Sequence, residues 1–284
     1  MCPPSATPIT RSFRSSIERM TVSDYTSPPK ETIRGFFDGI AASYDRINTL
    51  LSFSLDELWR RKAVRLILGG LTRTPSHPRP LPPRGEEGEA CRPAGGFEGV
   101  DPRPASILDL GVGTGKFLRG FLKRQPWRLA VGVDFSSEML ARAKTALPAG
   151  PSLVQADLHD LPFEDGTFDL VVSSFTLRSV KDRRHFFSEV RRILRPGGRA
   201  GFLCLTRPVS LAGRALYAPY LKFYLPLMGG LLSANRGAYR FLSESIQSFP
   251  SPADIGTQLA AGGFRNIFIR HFTFGISTLI GAEN

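Results

Sequence analysis

The sequence predicts an α/β fold, a doubly wound and mostly parallel sheet of seven strands, and three observations support this prediction. Apolar runs of strand length alternate with helical patterns along residues 105–281, and this alternation is typical of a parallel sheet. The first run ends in a glycine-rich turn that a helical pattern follows, as at the start of a nucleotide-binding βαβ unit. The last two runs have no helix between them, so we expect a closing strand pair.

The glycine-rich turn follows the first predicted strand directly, and the helix predicted next is Phe117–Leu122. Glycine permits a tight turn and lets a ligand touch bare backbone, and the helix start offers free N–H groups. A dinucleotide fingerprint requires a glycine three residues after Gly113, where this chain has Lys116. A plain loop between strand and helix is the alternative interpretation of this stretch. The turn glycines are Gly111, Gly113 and Gly115.

An acidic residue, Asp109, precedes this turn and narrows the class of ligand. The pattern Asp-x-Gly-x-Gly-x-Gly resembles the first motif of class I S-adenosylmethionine (SAM) methyltransferases. A carboxylate suits a ligand that carries an ammonium group, and it suits a pyrophosphate poorly.

The remaining strands and helices are predicted from apolar runs, turn residues and helical periodicity. The predicted strands are Ile107–Leu110, Leu129–Asp134, Leu153–Asp157, Phe168–Ser173, Arg199–Leu205, Asn266–Phe272 and Ile276–Gly281. The other predicted helices of this part are Ser137–Leu147, Phe186–Leu194, which Pro-Gly-Gly ends, and Pro252–Ala261.

The domain organisation follows from composition. We predict a disordered leader over residues 1–30, N-terminal helices over 31–70, a Pro/Gly-rich disordered insertion over 71–104 and the ligand-binding domain over 105–284. The leader and the insertion hold too few large apolar residues to offset their chain entropy. Within the N-terminal helices, Ser54 and Glu57 have the spacing of a capping box.

The chain carries a formal net charge of +12, and one basic stretch stands out. Residues 199–243 hold six Lys or Arg and no Asp or Glu, interleaved with large apolar side chains. This pattern suits an anionic membrane surface or an acidic partner, and a basic solvated face is the alternative. No run reaches the ~18 apolar residues of a membrane span. The three cysteines show neither metal nor redox spacing, no metal is expected, and an organelle transit peptide at the N-terminus stays open.

Polar residues end four of the predicted strands at the edge where parallel sheets bind ligands. Asp134 lies about twenty residues beyond the turn, where a carboxylate accepts hydrogen bonds from ribose hydroxyls. Asp157 ends the third strand and can receive an adenine amino group, and Ser174 follows the fourth. Each residue alone is more often a cap or a turn residue. Together with Asp109 they predict a ligand that contains a nucleoside.

The chain from about residue 33 to 281 resembles the demethylmenaquinone/demethylubiquinone C-methyltransferase family. The stretches that carry the resemblance are FFDGIAASYDRINTLLS (36–52), ILDLGVGTG (107–115), VGVDFSSEML (131–140), LPFEDGTFD (161–169), SFTLRSV (174–180), LRPGG (194–198) and YRFLSESIQSFP (239–250). Three positions depart from the family: an acidic residue is Lys116 here, an Asn is Ser179, and a C-terminal Leu-His-x-Gly is reduced to Leu279-Ile280-Gly281.

The resemblance implies SAM as cofactor and a prenylated quinol as methyl acceptor. It implies cofactor contacts at Thr114, Asp134, Asp157, Leu158 and Ser174, and the residue pattern adds Asp109, Gly111, Gly113 and Gly115. Phe135, which follows Asp134, is a further expected cofactor contact. A helical flap over residues 208–243 is expected to cover the acceptor. The expected location is cytoplasmic, at the inner face of an anionic membrane; nucleic acid is not an expected partner, and a homodimer stays open.

Carbon methylation requires an ionised ring hydroxyl, so the acceptor anion needs a stabilising group. Arg178 is the candidate for this role, and Tyr44 and Asp45 are candidates for the cofactor lid and ring placement. A surface charge at Arg178 and a packing aromatic at Tyr44 are the plainer alternatives. Two other functions stay open: methylation of another small phenol or of a phospholipid amine, and SAM binding without catalysis.

Overall fold

The computed structural model describes residues 29–71, 105–225, 227–228 and 236–284. In this part of the chain the strands are β1 Ser106–Leu110, β2 Leu129–Asp134, β3 Ser152–Gln155, β4 Phe168–Ser174, β5 Leu194–Leu205, β6 Arg265–Phe272 and β7 Ser277–Glu283. They form one seven-stranded sheet in the order β3-β2-β1-β4-β5-β7-β6. The first five strands are parallel, and β7 lies antiparallel between β5 and β6. The predicted α/β sheet is confirmed, and its switch point lies between β1 and β4.

The helices that flank the sheet cover both of its faces, as a doubly wound fold requires. The described helices are α1 Lys30–Ile40, α2 Tyr44–Leu51, α3 Leu55–Leu71, α4 Lys116–Leu122, α5 Ser137–Ala146, α6 Arg183–Ile193, α7 Leu211–Pro219, α8 Arg236–Gln247 and α9 Pro252–Ala261. Side chains of α3 and α4 pack on one face, against Ile107 of β1. Side chains of α6 and α9 pack on the other face, against Leu108 and Leu110. Alternate residues of a strand point to opposite faces, so β1 is buried on both sides.

A third apolar cluster joins the N-terminal helices to the predicted flap. Ile40, Ile47 and Leu51 of α1 and α2 pack against Leu221 and the residues that follow it. A π-helical turn, Tyr220–Tyr224, continues α7 and carries this contact. The described part of the flap and the N-terminal helices therefore pack together as one layer.

Strand β5 begins at Leu194, five residues earlier than the predicted start at Arg199. Leu194 pairs with Phe168, and the next pairing joins Arg199 to Leu170. The register shift between these pairs is a β-bulge, and it contains the Pro-Gly-Gly stretch. The sequence predicted a helix that runs to Leu194 and that Pro-Gly-Gly ends, whereas α6 ends at Ile193 and the Pro-Gly-Gly stretch belongs to β5.

The predicted capping box at Ser54 was also wrong. Ser54 has a φ of +62°, whereas an N-cap residue usually has an extended backbone. The backbone N–H of Asp56 instead donates to the hydroxyl of Ser52 at 3.4 Å.

The predicted leader and insertion lie outside the described residues, apart from Pro29 and Lys30 at the end of the leader and Leu71 at the start of the insertion. Within the described ranges, no helix is both long and apolar enough to cross a membrane.

Candidate active site

The turn after β1 forms a glycine loop, residues 111–115, whose backbone requires glycine at defined positions. Gly111 and Gly113 have φ values of +71° and +53°, in the left-handed region that favours glycine. A Cβ at Gly111 would collide with the side chain of Thr176, whereas a Cβ at Gly113 would meet nothing within 4 Å. Gly113 lines a cavity, so its bare backbone is open to a ligand.

The carboxylate of Asp134 at the end of β2 is hydrogen-bonded to this loop. Its Oδ2 accepts the N–H of Gly113 at 2.8 Å, and its Oδ1 accepts the N–H of Ser136 at 3.0 Å. Burial raises the pKa of Asp134, and these backbone donors partly oppose the increase. Each carboxylate oxygen has a further lone pair, so Asp134 can still accept hydrogen bonds from ligand hydroxyls.

The cavity beside the glycine loop, called the loop cavity here, has a volume of about 120 Å³. It brings together seven of the predicted cofactor residues. These are Gly111, Gly113, Asp134, Phe135, Asp157, Leu158 and Ser174. Other residues of its wall were not predicted from the sequence. These include Ile33, Phe37, Met139, His159 and Thr176.

Asp109, Thr114 and Gly115 do not belong to the lining of the loop cavity. Asp109 is fully buried, and its Oδ2 accepts the N–H of Leu118 at 3.1 Å, in the first turn of α4. Burial raises the pKa of Asp109 to about 8. The structure therefore places this carboxyl beneath the loop, where it holds the start of α4.

Asp45 lies on the other side of the loop, where it joins α2 to Thr114. The Thr114 hydroxyl donates to Oδ1 of Asp45 at 2.9 Å, and Nζ of Lys116 lies 3.4 Å from the same oxygen. Lys116 is one of the positions that departs from the family. The ammonium group of Lys116 pairs with the carboxylate of Asp45 on α2. The basic residue that departs from the family therefore has an acidic partner in this protein.

Asp157 contacts His159, a cavity residue that the sequence analysis did not select. Oδ1 of Asp157 accepts the backbone N–H of His159 at 3.0 Å and lies 2.9 Å from its ring Nδ1. A carboxylate at that distance fixes Nδ1 as the protonated ring nitrogen. The Asp-x-His spacing at the end of a strand is the signal that would have found this pair.

A second cavity of about 280 Å³ lies under the flap and is called the flap cavity here. Three aromatic residues, Phe37, Tyr44 and Phe175, line both cavities. Phe175 has a φ of +61°, which is uncommon for a bulky residue and typical of a constrained site. The two cavities therefore adjoin each other across these rings.

Arg178 lies in the wall of the flap cavity, and its charge acts to lower the pKa of Tyr44. Nη1 of Arg178 donates to the hydroxyl of Ser245 at 3.0 Å, and its Cζ lies 5.7 Å from the ring centre of Phe241. Burial raises the pKa of Tyr44, and the charges of Arg178 and Arg60 oppose this increase. Arg178 is thus held by α8 in the wall of the flap cavity.

Two charged residues of this wall, Asp56 and Arg60 on α3, were absent from the sequence analysis. Their spacing of four residues is typical of an exposed ion pair on a helix, so the sequence alone gave no sign of their burial. Among the described residues, no group of three or more His, Cys, Asp or Glu side chains could hold a metal ion.

Comparison with known proteins agrees with this geometry. The model of the ubiE/COQ5 methyltransferase family matches residues 98–282. The chain is 35% identical to the ubiquinone/menaquinone biosynthesis C-methyltransferase UbiE of Geobacter sulfurreducens, over 89% of this chain and 88% of that protein. It is also 35% identical to the demethylmenaquinone methyltransferase of Thermus thermophilus, over 86% of this chain and 97% of that protein.

A solved structure shares the fold. The crystal structure of a SAM-dependent methyltransferase from Thermotoga maritima aligns with a TM-score of 0.53 at 16% identity, over 88% of this chain and 98% of that chain. With the family model and the relatives above, these similarities establish that the chain is a SAM-dependent methyltransferase of the ubiE/COQ5 methyltransferase family.

Proposed function

We propose that the chain methylates a ring carbon of a prenylated quinol. Its relatives are named as a ubiquinone/menaquinone biosynthesis C-methyltransferase and a demethylmenaquinone methyltransferase, and these names support the proposal. The observation that carries this proposal is the junction of the two cavities. Phe37, Tyr44 and Phe175 border both the loop cavity and the larger flap cavity. A methyl group held in the first would meet an acceptor ring in the second.

The residues of the loop cavity fit SAM. The open space at Gly113 accommodates a ligand against bare backbone, and the free lone pairs of Asp134 suit the ribose hydroxyls. Asp157 and Leu158 line the same cavity, and we assign them to the adenine ring. SAM supplies an electrophilic methyl group on a sulfonium, so correct placement of the acceptor provides much of the rate.

Arg178 is the residue we assign to the acceptor hydroxyl. A quinol hydroxyl titrates near ~10, the ordinary value for a phenol, so most of it is neutral at physiological pH. A guanidinium stays charged at any working pH and favours the ionised hydroxyl. This ionisation makes the neighbouring ring carbon nucleophilic, and Tyr44 and Asp45 help to position the ring and the cofactor.

The outer surface of the flap supports contact with a membrane. Leu211 and Leu216 of α7 are 81% and 82% exposed, and Phe223 of the π-helical turn is 63% exposed. Arg214 and Lys222 lie among them on the exposed surface. Exposed apolar side chains next to basic ones suit the interface of an anionic bilayer. We infer that the flap rests on the cytoplasmic face of the membrane, from which the prenylated acceptor enters.

An acceptor panel tests the reaction. The purified protein is incubated with methyl-labelled SAM and demethylmenaquinol, demethylubiquinol, a simple phenol or phosphatidylethanolamine, and the products are analysed by mass spectrometry. We expect label on a ring carbon of a quinol. Label only on the phenol or the amine contradicts the proposal, and SAM binding without label on any acceptor indicates a non-catalytic protein.

Vesicle flotation tests the membrane contact. We expect the protein to float with vesicles that contain phosphatidylglycerol. With vesicles of pure phosphatidylcholine, the protein should remain in the bottom fraction. The Leu211→Ser/Leu216→Ser variant should lose flotation and keep SAM affinity. Equal flotation of variant and wild type argues against this surface.

A further inference from the structure

The wall of the flap cavity contains a buried ion pair that the reaction described so far does not use. Asp56 and Arg60 are 5% and 8% exposed, and Nη1 of Arg60 lies 2.5 Å from Oδ2 of Asp56. Both residues belong to α3 and line the flap cavity. The rest of that lining is largely aromatic and aliphatic, so two full charges are unusual there.

Stability does not explain this pair. Removing two charges from water costs several kcal/mol for each ion, and apolar residues of similar size often stabilise a fold as well or better. The neighbouring Glu57–Arg61 pair on the same helix, 3.1 Å apart, lies on the exposed side. A buried pair that faces a ligand cavity is therefore better explained by a ligand.

The two partners differ in how well the protein satisfies them. The carboxylate of Asp56 also accepts the hydroxyl of Ser52 at 2.8 Å. Among the described residues, the buried Nε–H of Arg60 has no acceptor. A buried donor without a partner costs about 1–3 kcal/mol, and an oxygen atom of a bound ligand would remove that cost.

Arg60 lies beside the residues at which the two cavities meet. Its Cζ is 4.9 Å from the ring centre of Phe175. The charges of both Arg60 and Arg178 act on the hydroxyl of Tyr44. Two guanidinium groups thus lie around one region of the flap cavity. A quinol ring carries two oxygens on opposite ring carbons, and each can accept hydrogen bonds from one guanidinium.

We propose that Arg60 is an acceptor-binding residue that donates to one ring oxygen of the quinol while Arg178 serves the other, and that Asp56 positions Arg60 for this contact. This inference rests on the proposed function. Two oriented contacts would fix the rotation of the ring as well as its depth, and so would select the ring carbon that faces the cofactor.

The decisive variant replaces both partners, Asp56→Leu/Arg60→Met. It leaves no unpaired buried charge, so the fold and the SAM affinity measured by calorimetry should be retained. The KM for the quinol should rise by roughly 10- to 150-fold, the effect of losing a hydrogen bond to a charged group. The matched control is Glu57→Leu/Arg61→Met, which makes the same change on the exposed side of α3 and should leave the KM unchanged.

Arg60→Lys provides a second measurement. Lysine keeps the charge beside Asp56 but lacks the planar set of donors, so the quinol KM should rise less than in the double variant, with SAM affinity retained. An unchanged quinol KM in either folded variant overturns the inference. Wild-type protein that methylates no quinol instead overturns the proposed function, so the two failures are distinguishable.

Discussion

The hydroxyl of Thr114 donates a hydrogen bond to the carboxylate of Asp45 at 2.9 Å and so joins the glycine loop to α2. Helix α2 begins at Tyr44, one of the three aromatic residues that border both cavities. The contact therefore couples the glycine loop to a ring that borders both cavities. Lys116 strengthens it with an ammonium group 3.4 Å from Asp45.

Loss of this contact should weaken SAM binding. Asp45→Ala removes the hydrogen bond and the ion pair, and we expect about a 5- to 30-fold loss of affinity by calorimetry. Asp45→Asn still accepts from Thr114 and loses only a partly exposed ion pair, which contributes about 0–1 kcal/mol, so its affinity should stay near wild type. Thr114→Val should lower the SAM affinity about as much as Asp45→Ala does. The double variant should bind SAM only slightly more weakly than either single variant. Additive losses would show that the two residues act separately.

Asp134→Ala should lower SAM affinity by roughly 10- to 150-fold, because a charged acceptor is lost. Its carboxylate also accepts from Gly113 at 2.8 Å, so part of the loss would come from a less ordered loop. Asp134→Asn should lower the SAM affinity almost as much, because the amide NH₂ of Asn would point a donor at a backbone N–H group or at the ligand hydroxyls. Calorimetry that gives wild-type affinity for the Ala variant would remove Asp134 from the ribose site.

The buried carboxyl of Asp109 should make stability depend on pH. Its pKa is about 8 in the folded protein, against ~3.9 for an ordinary Asp in the unfolded chain. Below pH ~4 both states hold the proton. Between the two pKa values the unfolded chain ionises and the folded one does not, so the stability contribution falls as pH rises, by at most about 1.4 kcal/mol per unit.

Asp109→Asn cannot ionise, so the variant should gain stability relative to wild type as pH rises from 5 to 8. Thermal unfolding of both proteins at several pH values measures this difference. Asp165→Asn is the control, because it makes the same substitution at a side chain that is 80% exposed. A difference between variant and wild type that does not change with pH would mean that Asp109 ionises normally in the folded protein.

The sequence predicts a helix or strand well when local signals determine where that element begins and ends. The bounds of β2 and α9 were predicted correctly, and α9 has Pro252 at its start and a capping box between Ser251 and Asp254. The start of α3 at Leu55 agrees with the prediction, but Ser54 does not cap the helix, because Phe53 and Ser54 take positive φ values that residue type does not predict. The bulge in β5 depends on pairing with β4, which lies outside any local pattern.

The candidate site shows the same division. The predicted polar residues of β2, β3 and β4 border one cavity, because parallel strands bring their carboxyl ends to one edge. Asp157, predicted as the last residue of the third strand, lies two residues beyond the end of β3 at Gln155. The position of Asp109 beneath the loop required the three-dimensional path of the backbone. Asp56 and Arg60 were missed because helix spacing alone does not show that they are buried at the flap cavity.

Arg178→Ala should lower turnover by about 10²- to 10³-fold, the usual effect of removing one donor to a developing anion. Arg178 lines the flap cavity and is absent from the lining of the loop cavity, so SAM affinity should stay near wild type. Arg178→Lys should restore part of the rate, because a point charge lacks the planar donor set. Arg183→Ala is the matched control: Arg183 is a half-buried arginine that bonds Gln258 and lines neither cavity.

The pH profile separates the role of Arg178 in ionisation from a role in positioning. If Arg178 lowers the pKa of the acceptor hydroxyl, the Ala variant should recover rate as pH rises toward ~10, where the free phenol ionises without help. Wild type should reach its plateau at lower pH, since its guanidinium already favours the anion. A variant equally slow at every pH would assign Arg178 to ring placement, and a variant with wild-type turnover would exclude it from the reaction.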